Sequence, residues 1–211
     1  MDKKLSNIQE RKLREAQARR EHIIAVVKDL IKKGGARAVS IRKVAEAAGF
    51  STTVVYALFR DKATLIGQAM DKDLLALVHA MRSASEAGTG AWERIGLVGR
   101  AYVQYGLRHR DEYALLFMDL RPHAAIAAVE VEHGNIEQDP YAYALHLFGE
   151  LAHSGQVRAG EAALHAMTQI FWQALHGLVS LRIVMEHMQP DSHLDDLLAV
   201  VTEGIRLRFQ P

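Results

Sequence analysis

The chain has 211 residues, 26 Lys and Arg against 25 Asp and Glu, and no cysteine; the length accommodates a small domain plus a larger one, and disulfides and thiolate metal sites are excluded. The near-neutral total hides an asymmetry, since residues 1–62 carry 15 Lys and Arg against 7 Asp and Glu (net +8) and the remainder carries 11 against 18 (net −7). No apolar run reaches the length of a membrane span and the first residues are polar and charged rather than a signal peptide, so a cytoplasmic protein with no membrane partner is expected.

The first twenty residues hold Lys3, Lys4, Arg11, Lys12, Arg14, Arg19 and Arg20, and residues 1–18 read as a basic extension. Ser6 and Gln9 have capping-box spacing. Two readings stay open for this stretch: a frayed, solvated tail, or a basic arm lying along phosphates or reaching into a minor groove. A first core helix is predicted from Arg19 to Lys33, with Ile23, Ile24, Val27, Leu30 and Ile31 as its apolar stripe and Gly34-Gly35 ending it.

The segment from Ser40 to Leu65 reads as two short helices joined by a tight turn. Ser40 is the expected cap of the first, Ile41, Val44 and Ala45 recur at helical spacing, and Gly49 supplies the left-handed residue that stops it. Ser51 caps the second, whose Val55 and Phe59 face the first helix and leave Thr52, Thr53, Val54 and Tyr56 pointing outward. An ordinary hairpin inside a helical core has the same periodicity. What it lacks is a reason for hydroxyls clustered at the start of the second helix and flanked by Arg42, Lys43, Arg60 and Lys62, the groups that reach phosphate oxygens and base edges.

Gly49, Phe50, Ser51, Thr52, Thr53, Val54, Val55, Tyr56, Phe59, Lys62 and Leu65, in that register, resemble the TetR family of bacterial one-component regulators, over about Arg20 to Met70. The resemblance implies that Arg42, Thr52, Thr53 and Val54 touch bases and that Tyr56 and Lys62 clamp phosphates; Ser40, Lys43 and Ser51, which adjoin them in sequence, are expected on the same DNA surface. It also favours repression. Two positions depart: Thr53 stands where Gly, Ala or Pro is usual, and Leu58 where a backbone-contacting His or Tyr is common.

Asp61 is the expected cap of the next long helix, with Leu65, Ala69, Leu74, Leu77, Val78 and Met81 as its stripe and a break at Ser83–Gly90. Beyond it helices are predicted from about Ala91 to Arg108, Asp111 to Leu120, Pro122 to Glu132, Pro140 to His153, Gly160 to Met188 and His193 to Phe209. Gly134, Gly155 and Gln189-Pro190 act as stops. With no alternating strand pattern and no repeat, the fold class is all-α: a basic extension (1–18), a three-helix helix-turn-helix domain (19–66) and a helical regulatory and dimerisation bundle (67–211).

The helix from Gly160 to Met188 is apolar on more than one side. Leu164, Met167, Phe171, Ala174, Leu178, Leu181, Met185 and Met188 form a heptad-like seam, and Ile170, Trp172, Leu175, Val179 and Ile183 add further apolar surface. A two-fold interface of two helices from each subunit buries both, through Phe171, Ala174, Gly177, Leu178, Leu181 and Met185 with Leu197, Val201, Gly204 and Ile205 of the last helix. The competing arrangement is a buried central helix of a monomer. Gly177 and Gly204 suggest close helix approach.

Trp172, His176 and Gly177, with the run from Tyr113 to Pro122, resemble a TetR C-terminal subfamily named for its Trp-His-Gly motif. That implies a regulatory, dimerising domain. An apolar or aromatic small-molecule inducer is expected in a pocket lined by Trp92, Tyr102, Tyr105, Tyr113, Phe117, Met118, Trp172 and His176. No cofactor and no metal are expected. His165, His176 and His187 share one helical face, but eleven residues at about 1.5 Å each separate neighbours by about 16 Å, too far to share an ion. A His-based metal sensor would need ligands from several helices. There is no phosphate loop, nucleophile motif or paired Glu-x-x-His, so no enzymatic activity is expected. The remaining rival is a sequence-nonspecific nucleoid protein.

Overall fold

The computed structural model describes residues 2–118, 131–185 and 193–211, and among them every regular element is a helix. The predicted helix over Pro122 to Glu132 falls almost wholly outside the described residues, as do Leu120, His187, Met188 and the stop at Gln189-Pro190. The described residues form two compact units, one reaching to Lys72 and the other made of Asp73–Met118 and Val131–Pro211.

In the first unit, α1 (Asp2–Ala38) starts at Asp2, not Arg19, so Ser6 and Gln9 lie inside a helix rather than at its start. Residues 2–18 contain no Gly or Pro and are rich in Lys, Arg, Glu, Gln, Ala and Leu, all good helix formers, so nothing in them ends the helix. The glycine pair does interrupt it, with Gly34 at φ −156° and Gly35 in the left-handed region at φ 69°. Ile23, Val27 and Ile31 are buried as their spacing requires.

Helices α2 (Ile41–Ala48) and α3 (Thr52–Leu58) pack on α1 and on each other. Both serine caps form: the Lys43 amide donates to Ser40 Oγ at 3.2 Å and the Val54 amide to Ser51 Oγ at 3.3 Å. Gly49, at φ 71° and ψ 28°, turns its amide onto the Ala45 and Glu46 carbonyls. Val44, Val55 and Phe59 seal the small core. The Thr64 amide and hydroxyl donate to Asp61 Oδ1 at 2.8 and 2.9 Å, capping α4 (Lys62–Ser85) and holding the Asp61 carboxyl below the usual carboxylate range. The helix runs on to Ser85, because the small residues expected to break it at Ser83 do not: Ser85 turns its hydroxyl back to the Arg82 carbonyl at 2.8 Å.

The second unit is built on α5 (Ala91–Arg108), followed by α6 (Arg110–Phe117), α7 (Pro140–His153), α8 (Glu161–Val184) and α9 (Leu194–Arg208). Helix α5 packs on α7, α8 and α9. Two glycines, seven residues apart and so on one side of α5, permit that. A Cβ on Gly99 would meet Leu198 Cδ2 at 2.6 Å and Phe171 Cζ at 2.8 Å; one on Gly106 would meet Val179 Cγ1 at 2.7 Å and Tyr113 Cδ2 at 2.8 Å. Gly177 and Gly204 behave otherwise, with nothing within 4 Å of a Cβ at either among the described residues, so none of the described elements makes the close approach expected there. No described helix is long and apolar enough to cross a membrane.

Candidate functional site

The outward surface of α2 and α3 carries the residues singled out for DNA. Arg42, Lys43, Ser51, Thr52, Thr53 and Tyr56 are exposed, Tyr56 to 57%, despite its aromatic ring. Ser40, Val54 and Lys62 are half-buried; Ser40 and Ser51 are the caps of α2 and α3, and Lys62 opens α4. A short capped helix presenting hydroxyls, a phenol and neighbouring cations offers donors to phosphate oxygens and mixed donors and acceptors to base edges. Leu58 is half-buried, and its carbonyl does the local work.

That carbonyl is held by a residue whose role was missed. Arg20 Nη1 donates to Leu58 O at 3.0 Å and its guanidinium lies 5.0 Å from the Phe59 ring centroid, pinning α1 to the end of α3. His22 Nε2 lies 3.3 Å from Ala48 O and its ring meets Phe50 edge-on at 6.0 Å, fixing α1 to the end of α2. The available signal was spacing. Arg20 continues the Ile23–Val27 stripe, so a cation there belongs to the packed side of the helix.

In the second unit, five of the eight pocket candidates come together. Tyr102, Tyr113, Phe117, Trp172 and His176 form a continuous aromatic cluster, with neighbouring ring centroids 4.9–6.3 Å apart. A hydrogen-bonded relay threads it: Trp172 Nε1 donates to the Tyr102 hydroxyl at 3.0 Å, Tyr102 and Tyr113 hydroxyls lie 2.8 Å apart, and the Tyr113 hydroxyl is 2.7 Å from His176 Nδ1. An indole N–H only donates, so the order that uses every proton runs Trp172 to Tyr102 to Tyr113 to His176, leaving a neutral imidazole with its proton on Nε2. Burial supports the same protonation. It pushes the Tyr102 phenol up to about 12, raises Tyr113 further, and lowers His176.

The other three candidates lie elsewhere. Trp92 packs under the Arg206 guanidinium at 4.9 Å; the Tyr105 ring lies 4.4 Å from His109 and its hydroxyl donates to Asp73 O at 3.1 Å; Met118 only packs at the edge of the core. Beside the cluster is a cavity of about 20 Å³, lined by Tyr102, Phe171 and Trp172 and by Met81, Val98, Pro140, Tyr141, Ala144 and Leu175, which were not singled out. It holds about one water-sized group. Its lining polar atoms are already engaged, Tyr102 and Trp172 in the relay and the Tyr141 hydroxyl with His165 Nδ1 at 3.0 Å. Among the described residues no group of three or more His, Asp or Glu is placed to hold a metal ion.

The dimer candidates divide. Phe171 and Ile205, each 2% exposed, are interior residues of their own unit, because the inward side of α8 runs through Met167, Phe171, Leu175 and Val179. Leu178, Leu197 and Val201 are half-buried, with Leu178 and Val201 against the same core. The outward side carries Leu181 (48% exposed) and Met185 (41%), with Ala174 and Gly177 half-buried and Gly204 exposed, and adds Ile170, Val184, Val200 and Leu207, which were not chosen.

The model for bacterial regulatory proteins of the tetR family matches residues 23–69, and that for the tetracyclin repressor-like C-terminal domain matches residues 95–205, more than half the chain. The chain belongs to the TetR family. It is thus a helix-turn-helix, DNA-binding transcription regulator, and its Trp172, His176 and Gly177 lie within the matched C-terminal segment. No protein of curated function matches its sequence. Solved structures share the fold of this TetR regulator. One is a protein of unknown function from Rhodococcus sp. RHA1, with TM-score 0.68, 22% identity, and 92% of this chain and 96% of that chain covered. Another is a TetR family transcription regulator from Marinobacter aquaeolei VT8, with TM-score 0.65, 14% identity and coverages of 92% and 97%. The fatty acid degradation regulator FadR from Bacillus halodurans aligns with TM-score 0.66, 15% identity and coverages of 90% and 97%.

Proposed function

We propose that this regulator is a non-enzymatic, dimeric repressor that binds a palindromic operator through α2 and α3 and is released by a small apolar or aromatic molecule taken up in the second unit. The observation that carries the reading is the capped α3 with Thr52, Thr53 and Tyr56 exposed together beside Arg42 and Lys43. In this reading Arg42, Thr52, Thr53 and Val54 read base edges, Tyr56 and Lys62 clamp phosphates, and Ser40, Lys43 and Ser51 support that surface.

Self-association uses the outward side of α8 and α9, where Ile170, Leu181, Val184, Met185, Val200 and Leu207 are exposed on adjoining helices. Large apolar side chains gathered on one face favour burial against a second copy. Two-fold symmetry then sets two recognition helices about 34–36 Å apart, one turn of DNA. The inducer enters the apolar cavity beside Trp172 by opening it. Since α4 contributes to both units, a ligand that favours one orientation of this helix changes operator affinity; a coupling of about 1–3 kcal/mol corresponds to about 5- to 150-fold.

Genomic footprinting with the purified protein tests the proposal. The expected result is protection of palindromic sites with half-sites about one helical turn apart. Uniform coverage without a protected palindrome would establish the nucleoid-protein reading instead.

A further inference from the structure

Residues 8–19 of α1 form a cationic, largely exposed stretch of helix. Residues 8–19 are exposed apart from half-buried Ala16, and even Leu13 is 70% exposed. At 100° per residue Arg11, Lys12, Arg14 and Arg19 share an arc of about 160°, with Glu15 the one carboxylate inside it. Arg11 and Glu15 meet at 3.5 Å, but at 70% and 57% exposure this pair does little to neutralise the face.

The departure point of this helix is fixed. Arg20 ties α1 to the carbonyl of Leu58, the last residue of α3, and Lys62 opens α4 shortly after. The basic helix therefore leaves the unit beside the Tyr56–Lys62 segment. From Arg20 to Asp2 it extends about 27 Å, most of a turn of duplex.

We infer that residues 2–19 form a second, sequence-independent DNA contact, a cationic helix lying on the phosphates that flank each half-site. Charge complementarity and continuity with the α2–α3 surface select duplex DNA as its partner. The inference rests on the DNA-binding reading and extends it beyond the helix-turn-helix.

The test compares the full chain with a deletion of residues 2–18 and with an Arg11→Gln/Lys12→Gln/Arg14→Gln variant that keeps helix-forming residues. Binding to a mixed-sequence duplex of about 40 bp is titrated across salt, each phosphate contact contributing about 0.9 to the log–log slope. Both variants should lower the slope by about 2 per chain and weaken binding about 10- to 100-fold near 0.1 M salt. Equal slopes and affinities for all three proteins overturn the inference. So does a loss in the deletion that the glutamine variant does not share, since charge is then not the cause. Unchanged DNA binding with lost affinity for phosphatidylglycerol vesicles would overturn it in favour of a membrane surface. A full chain that binds no duplex at all fails one step earlier, at the DNA-binding reading itself.

Discussion

Replacing Tyr113 by Phe removes the central oxygen of the relay and leaves the ring in place. Tyr102, 2% exposed, then has a hydroxyl proton with no acceptor, and a buried unsatisfied donor costs about 1–3 kcal/mol. His176 Nδ1 also loses its partner, but its half-buried ring can take a water. Tyr102→Phe should cost less, about 0.5–1.5 kcal/mol, because Tyr113 still donates to His176 and only the half-buried Trp172 indole loses its acceptor. In the double variant the orphan proton no longer exists, so the combined loss should fall short of the sum by about 1 kcal/mol. Urea denaturation followed by circular dichroism measures the cycle. On heating, each kcal/mol should appear as about 2–4 °C in a chain of this length. Additivity within about 0.3 kcal/mol, or a larger loss from Tyr102→Phe than from Tyr113→Phe, would refute both the relay and its direction.

Burial lowers the His176 pKa from its ordinary 6.5, so the unfolded chain binds more protons between the two values. The stability this residue contributes is present above about pH 6.5 and lost as pH falls. The stability gap between the parent and His176→Gln should therefore shrink from about pH 8 to about pH 5.5, and a constant gap would remove His176 as the cause. Gly177→Ala should raise subunit stability by about 1 kcal/mol, since nothing opposes a Cβ there, while weakening self-association measured by sedimentation; unchanged association places the interface elsewhere. Ser51→Ala should cost about 1 kcal/mol and speed amide exchange at Val54, whose N–H loses its cap. Tyr56→Ala and Lys62→Ala should weaken all DNA about evenly, whereas Arg42→Ala, Thr52→Ala and Thr53→Ala should change sequence preference in a selection from random duplexes.

The helix-turn-helix was legible because its determinants are local. Ser40, Gly49, Ser51 and Asp61 each act on backbone within four residues, so their roles can be read from order alone. The extent of α1 was misread for a related reason. Residues 1–18 read as a basic extension outside the core helix, whether tail or arm, yet charge does not end a helix, no Gly or Pro stands between Asp2 and Arg19, and the capping-box spacing of Ser6 and Gln9 does not start one there.

What order alone does not reveal is which apolar side of a helix faces inward. Helix α8 offers Phe171, Leu175 and Val179 on one side and Ile170, Leu181 and Val184 on another, and both sets recur at helical spacing. Periodicity treats them alike, which is why Phe171 was assigned to the interface. The decision is made on a different helix, by Gly99 and Gly106. Their missing side chains let α5 approach until a Cβ at those positions would fall within 3 Å of Phe171, Leu198, Tyr113 and Val179, and that approach commits the Phe171 side of α8 to the interior. Glycine pairs at heptad spacing in α5 are thus informative about α8, and the two glycines that nothing among the described residues approaches, Gly177 and Gly204, mark the sides left over. Alanine at Gly106 should accordingly destabilise by about 1–3 kcal/mol, opposite in sign to Gly177→Ala, as a core already filled by Val179 and Tyr113 is overpacked. Denaturation of the two variants side by side reads the difference, and a stabilising Gly106→Ala would mean that this close approach does not orient α8.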